Sequence, residues 1–351
     1  MHATLADVAR RAEVSVSTAS RVLSGSSYPV SAKSRARVER AAAQLGYAPH
    51  ALARALVTRQ SRTIGVIVGD IIDPYFAEIA SGVEDCARRA GSLTIICKAD
   101  RSPERERAYL RLLKGHRAGG VVFAGGTFTD SPEVDALRAD VAQAVAEGLR
   151  IIDLGERGFM GVPEITIDNR AVLADITTFL ITQGHRHIAF LEGPPGFSTS
   201  QLRLQGYVDA MGEADLVPAV IAGGGFDFES GRAVALRLLA ASLPDAIIAF
   251  SDESALGVLM ALRQAGVEVP ERISVAGVDG TRDASLVDLT TVKLPMYELG
   301  SAAARLVVEA DGELPATRTI FPHRVIPRGT TARAHATGDL PVGAALANAG
   351  Q

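Results

Sequence analysis

From Arg62 onward, short apolar runs alternate with segments whose apolar residues recur at helical spacing. TIGVIVG leads into a helix over 75–90, LTIICKA into one over 103–116, GGVVFAG into one near 133–147, and RIIDL follows. A second series runs EITID, helix 171–183, HIAFLEG, helix 200–213, AVIAGG, helix 229–241, AIIAFS, helix 253–265 and ISVAGVD. Near-continuous apolar strands spaced by amphipathic helices predict parallel sheets covered on both faces. Two such series predict two doubly wound lobes. The first fifty residues read differently, as three short helices with no strand between them.

Thr4 is placed to cap the first of these helices, and Asp7, three positions on, can take the orphan amide protons. Leu5, Val8, Ala9 and Ala12 form its apolar stripe. Glu13 and Val14 make a tight connection, Ser15 caps a second helix over Val16–Leu23, and Gly25 stops it. Ala19, Val22 and Leu23 suit burial against the first helix, which turns Ser17, Thr18 and Arg21 outward. An outward arginine on such a helix can pair with guanine O6 and N7 in a major groove. A third helix runs from its cap Ser31 to Gly46, with Val38, Ala42 and Leu45 inward and Arg35 and Arg37 outward, where a basic face meets phosphates.

TLADVARRAEVSVSTASRVL, followed by YPVSAKSRARVERAAAQLGYAPHALARAL, resembles the lactose/galactose repressor (LacI/GalR) family. The resemblance implies a helix-turn-helix headpiece with a hinge helix, then a periplasmic-binding-protein-like core of two doubly wound parallel-sheet lobes. It implies boundaries of 1–48 for the headpiece, 49–61 for hinge and linker, 62–330 for the core and 331–351 for a flexible tail. In that scheme the chain crosses between lobes three times, and strands near 290–294 and 319–326 complete the sheets. Pro49 would open a hinge helix that folds only on operator DNA, and Leu56 would be the lever inserted between two base pairs. An inserted side chain unstacks a step at a cost of about a few kcal/mol, recovered through contacts with the bent duplex. DNA contact is implied for Thr4, Ser15, Val16, Ser17, Thr18, Ser20, Arg21, Ser31, Arg35, Tyr47, His50, Ala53 and Leu56. Ser24 and His50 depart from residues common in the family at those positions, which affects contact and hinge detail rather than fold.

Charge divides the chain in the same place. Residues 1–62 carry ten Lys/Arg against three Asp/Glu, a net of +7 within a whole that carries −4. The local field of a basic arm, not the total, attracts phosphates. No stretch is apolar enough to span a membrane, and MHATLADVARR has no apolar signal run, so a cytoplasmic protein is expected. Cys86 and Cys97 fall on an apolar helix face and in a strand, where reduced, buried thiols are expected. The tail after Pro327 has no leucine heptad, which favours a homodimer over a larger assembly.

In parallel sheets, ligands collect beyond the carboxyl ends of the strands, and with two lobes that means the cleft between them. The loops there carry the candidate effector residues. Asp70 follows the first strand and Glu156 the fourth, and the family resemblance implies that Tyr75 and Phe76 of DPYF and Phe197, Thr199 and Arg203 of GPPGFSTSQLRLQGY face the effector. The resemblance likewise implies Phe226 and Asp279 as pocket residues, Ser251 and Asp252 occupy another loop after a strand, and Asp252 could equally cap the helix that follows it. The aromatic rings would stack on a sugar face or a nucleobase, and Arg203 with Asp279 suits either ligand. The family resemblance favours a sugar or glycoside. The alternatives are a purine- or nucleoside-responsive regulator and a solute-binding protein without DNA function, the latter disfavoured by the headpiece. No Walker loop, G-x-S-x-G elbow, C-x-x-C or H-E-x-x-H motif is present, which argues against an enzyme. His185 and His187 read as a helix-to-strand turn, and no metal or cofactor is expected.

Overall fold

The computed structural model describes residues 3–24, 28–47, 63–129, 131–310, 312 and 314–334. The headpiece comprises α1 (Leu5–Arg11), α2 (Val16–Ser24) and α3 (Ala32–Leu45). Its ends are set by short-range hydrogen bonds. Thr4 Oγ1 accepts from Asp7 N while an Asp7 carboxylate oxygen accepts from Thr4 N, a reciprocal capping box. Ser15 accepts from Thr18 N at 3.1 Å, and Ser31 accepts from Ser34 N at 3.2 Å. Each such cap is worth about 1 kcal/mol. Gly46 closes α3 at φ 60°, a left-handed conformation that glycine adopts without a Cβ penalty. Val8, Ala9, Ala12, Ala19, Val22, Val38, Ala41 and Ala42 form the buried core, with Leu5, Leu23, Leu45 and Tyr47 packed at its margin. Gly25 and the expected hinge residues Pro49, His50, Ala53 and Leu56 lie outside the described residues.

The core holds two six-stranded sheets. Lobe 1 contains β1 (Thr63–Val68), β2 (Leu93–Lys98), β3 (Gly120–Ala124), β4 (Arg150–Leu154), β5 (Glu164–Ile167) and β11 (Arg318–Phe321), in the order β11-β5-β4-β3-β1-β2. All its pairings are parallel. Its helices are α4 (Pro74–Arg89), α5 (Pro103–Gly115) and α6 (Pro132–Ala146). Lobe 2 contains β6 (Ile188–Leu191), β7 (Ala219–Ile221), β8 (Ala246–Ile248), β9 (Ser274–Asp279), β10 (Thr290–Lys293) and β12 (Arg324–Ile326), in the order β12-β10-β9-β8-β6-β7. Around it lie α7 (Asn169–Thr182), α8 (Ser198–Glu213), α9 (Phe228–Ala240), α10 (Asp252–Gln264) and α11 (Arg282–Leu286). The last helix, α12 (Met296–Glu309), returns to pack on α4 of lobe 1.

The chain therefore passes between lobes three times, after β5, after β10, and between β11 and β12. The apolar run expected as one strand over 319–326 is two short strands, one in each sheet. Pro322, which has no N–H to donate to a ladder, falls in the gap, and β12 then pairs antiparallel with β10. The core also runs past its expected end at residue 330. Thr330 exchanges hydrogen bonds with Val275, Ala332 N donates to Ser274 Oγ, and Ala334 N donates to Gln183 O. His185 is buried against this segment, its Nε2 3.0 Å from Ala332 O, whereas His187 pairs with Asp245. Cys86 and Cys97 are both free and buried.

Candidate functional site

On the headpiece, α2 turns Ala19 and Val22 into the core and leaves Val16, Ser17 and Arg21 exposed, with Thr18 and Ser20 half-buried. The Ser15 hydroxyl lies 2.9 Å from that of Ser17 and 2.8 Å from that of Thr18, so one cap organises the leading edge of the helix. The Arg21 guanidinium stacks on the ring of Tyr28, 4.0 Å from its centroid, a partner that the helical pattern did not single out. Thr4 and Ser31 are caps at the starts of α1 and α3, and Arg35 is half-buried on α3. Arg37 reaches back to Glu13, donating to its backbone carbonyl at 3.2 Å, which ties α3 to the turn before α2.

The second candidate site is a cavity between the lobes with about 650 Å³ of empty space, its open mouth included. Loops at the carboxyl ends of the strands build it. Asp73 caps α4 and accepts from Tyr75 N at 3.0 Å, which brings Tyr75 and Phe76 onto the cavity wall as an edge-to-face pair. Phe76 fits only because Gly69 and Gly125 lie beside its ring, where a Cβ would come within 2.8 and 2.7 Å. From lobe 2, Phe197, Phe226 and Phe250 form a chain of edge-to-face contacts with centroids 5.0 and 5.5 Å apart. Such pairs are worth about 0.5–1.5 kcal/mol beyond their burial and leave ring faces fixed for a ligand.

Arg203 is the polar centre of the lobe 2 wall. Only 4% exposed, it donates from Nε to Asn169 Oδ1 and from Nη1 to Phe250 O, lies over the Phe250 ring, and holds Nη2 3.7 Å from Asp279 Oδ1. Asp279, at the end of β9, has φ 124°, a strained backbone that aims its carboxylate at Arg203. Burial pushes the Asp279 carboxyl well above the ordinary range, with Arg203 opposing the shift. Burial, followed by the nearby Asp279 carboxylate, also raises the Tyr75 hydroxyl. Opposite these, Arg101 pairs with Asp73 at 2.9 Å and stacks on Phe226, 4.1 Å from its centroid, so one lobe 1 side chain spans the cleft. The lobes also join in backbone: Ser198 N donates to Thr127 O and Thr129 N to Gly196 O, each at 2.9 Å.

The cavity thus gathers Tyr75, Phe76, Phe197, Thr199, Arg203, Phe226, Ser251 and Asp279. Three expected residues lie elsewhere. Asp70 is not in the lining; it accepts from Ile72 N and pairs with Lys98. Glu156, at φ 53°, is not in the cavity lining and pairs with Arg318. Asp252 is fully buried below the cavity, accepting from Thr281 N, Thr281 Oγ1 and Thr291 Oγ1; burial raises its carboxyl to about 6. Ser251, not Asp252, caps α10. Asp73, Arg101, Asn169 and Phe250 were not anticipated, although each stands on or beside a post-strand loop, and Arg101 follows LTIICKA closely.

A model of bacterial regulatory proteins of the lacI family matches residues 4–50, and one of the periplasmic binding protein-like domain matches 177–331. Catabolite control protein A of Staphylococcus xylosus is 32% identical over 337 residues, covering 94% of this chain and all of its own length. The chain belongs to the LacI family. Within that family, catabolite control protein A of Priestia megaterium is 31% identical over 339 residues, with 94% of this chain and all of its own covered. The lac repressor dimer bound to operator and the anti-inducer ONPF superposes with a TM-score of 0.82 at 26% identity, covering 95% of this chain and 100% of that one. The regulator CelR in complex with cellobiose gives 0.66 at 28% identity, over 93% and 99%. As a LacI-family member the chain is a DNA-binding transcriptional regulator with an effector-binding core, and not an enzyme. Among the described residues no helix is long and apolar enough to cross a membrane.

Proposed function

We propose that this LacI-family regulator is a repressor that binds a pseudo-palindromic operator as a cytoplasmic homodimer and responds to a sugar or glycoside bound between the lobes. The observation that carries the effector reading is the cavity itself: fixed aromatic rings from both lobes around the Arg203–Asp279 pair. Ring faces take the apolar face of a sugar, and a paired guanidinium and carboxylate exchange hydrogen bonds with its hydroxyls. The cellobiose bound by CelR is a ligand of this kind. Leu93, Ile95 and Ile96 on the edge strand β2 support the dimer, because an apolar edge of 37–62% exposure is a surface that a second copy would cover.

In this reading each protomer places α2 in a major groove, with Ser17, Thr18 and Arg21 on base edges and Arg35 with Ser31 toward phosphates. His50, Ala53 and Leu56 meet the minor groove. A ligand that binds one lobe arrangement better than another shifts DNA affinity, and the coupling is reciprocal. The test is a thermal-shift panel of sugars, glycosides, nucleosides and nucleobases on the full chain, followed by operator binding with and without the hit. A sugar that raises stability and changes operator affinity supports the reading. A nucleobase hit replaces it with a nucleobase-responsive regulator, and silence across the panel sinks the sugar assignment.

A further inference from the structure

We infer that Asp73 sets the charge selectivity of the cavity, so that it takes an uncharged polyhydroxylated ligand and rejects its phosphorylated or carboxylated counterpart. This rests on the cavity being the effector site. Four charged side chains line it: Asp73, Arg101, Arg203 and Asp279. Each guanidinium already faces a carboxylate, at 2.9 Å for Arg101 with Asp73 and 3.7 Å for Arg203 with Asp279. Arg203 is further committed to Asn169 Oδ1 and the Phe250 carbonyl. Arg101 spends its flat face on Phe226 and Phe76, with centroids 4.1 and 5.2 Å away, and its Nη2 edge on Asp73.

An anion is held strongly by the N–H edges of a guanidinium. A phosphate at Arg101 would have to displace the Asp73 carboxylate or lie against it, with only about a fifth of either side chain open to screening water. A neutral hydroxyl escapes this conflict, since it donates to Asp73 while accepting from Arg101. Asp73 therefore has two duties that can be separated. Its oxygen caps α4 by accepting from Tyr75 N, and its charge cancels Arg101. Asparagine keeps the first and removes the second, because an amide oxygen also caps a helix. The Arg101 guanidinium would then keep only the influence of Asp70, which is itself paired with Lys98, and would stand beside the N-terminus of α4, both of which attract anions.

The test compares the full-length wild type, Asp73→Asn, and Asp73→Asn combined with Arg101→Ala, in thermal-shift titrations with inorganic phosphate at constant ionic strength. Asp73→Asn is expected to be stabilised at phosphate concentrations at least tenfold below those needed by the wild type, and loss of Arg101 is expected to abolish the gain. Identical phosphate responses of wild type and Asp73→Asn would overturn the inference, as would a gain that survives loss of Arg101. Matched pairs of neutral and 6-phosphorylated sugars separate this from the effector reading. A phosphorylated sugar preferred by the wild type upholds the cavity as effector site but overturns the role of Asp73. If no sugar of either kind binds, the effector reading fails while the phosphate titration still decides what Asp73 does.

Discussion

The two lobes both present an arginine paired with an aspartate to the cavity, yet the pairs differ in setting. Arg203 and Asp279 in lobe 2 are 4% and 8% exposed in their side chains, and Arg203 has two further acceptors and an aromatic ring beneath it. Arg101 and Asp73 in lobe 1 are 20% and 21% exposed, with aromatic rings from both lobes against the guanidinium. The buried pair is scaffold as well as ligand surface, because moving either member strands the other out of water. The lobe 1 pair is the more exposed of the two, and the Arg101 side chain is the one that reaches across to Phe226. In the proposed reading, a ligand meets a fixed wall on lobe 2 and a more solvated, adjustable wall on lobe 1.

The largest expected effect breaks the fixed wall. Arg203→Ala leaves Asp279 buried without its cation and should lower unfolding free energy by about 3–5 kcal/mol, together with loss of ligand stabilisation, both read by urea denaturation and thermal shift. Arg203→Lys keeps the charge without the planar fork, so it should lose the ligand response at a smaller stability cost. Beneath the same wall, Asp252 offers a pH test. Burial raises its carboxyl from 3.8 to about 6, so the folded state binds the proton more tightly than the unfolded chain. The stability from that protonation is complete below about pH 4 and lost as pH rises through about 6. The wild type should therefore gain on Asp252→Asn between pH 7 and 5, by about 1 kcal/mol; urea midpoints at the two pH values measure it. On the adjustable wall, Arg101→Ala should lower stability by less than about 1 kcal/mol, because its ion pair is partly solvated. The smallest effect belongs to Glu156→Gln, which should leave the ligand-induced thermal shift unchanged, since Glu156 pairs with Arg318 outside the cavity.

The headpiece was legible almost to the residue because its determinants are local. Thr4 with Asp7, Ser15 before α2, Ser31 before α3 and Gly46 after it act within four positions of the ends they fix. The strand and helix alternation was legible for the same reason, and the rule that ligands gather after strands pointed to the loops that line the cavity. Which side chain on a loop turns inward was legible largely through the family resemblance, and that reading failed at Asp70, Glu156 and Asp252. Asp70, Glu156 and Asp252 are each claimed by a partner 28, 162 or 29 and 39 residues away. Sequence spacing carries no trace of such partners. The same holds in lobe 1 for buried Arg157, held by Glu106 at 51 residues' remove and by the Ala124 carbonyl beside the cavity floor. Three lobe crossings followed only from the family resemblance, since short-range pattern does not say which sheet a strand joins.

Coupling between the cavity and the headpiece is decided by operator binding of the full-length protein, followed by fluorescence anisotropy on an operator selected from random DNA, as the sugar identified by thermal shift is titrated. Coupling through the fixed wall predicts at least a tenfold change in operator affinity for the wild type and none for Arg203→Lys, with both proteins binding the same operator in the absence of sugar. Unchanged operator affinity in the wild type, at sugar concentrations that saturate the cavity, would contradict it.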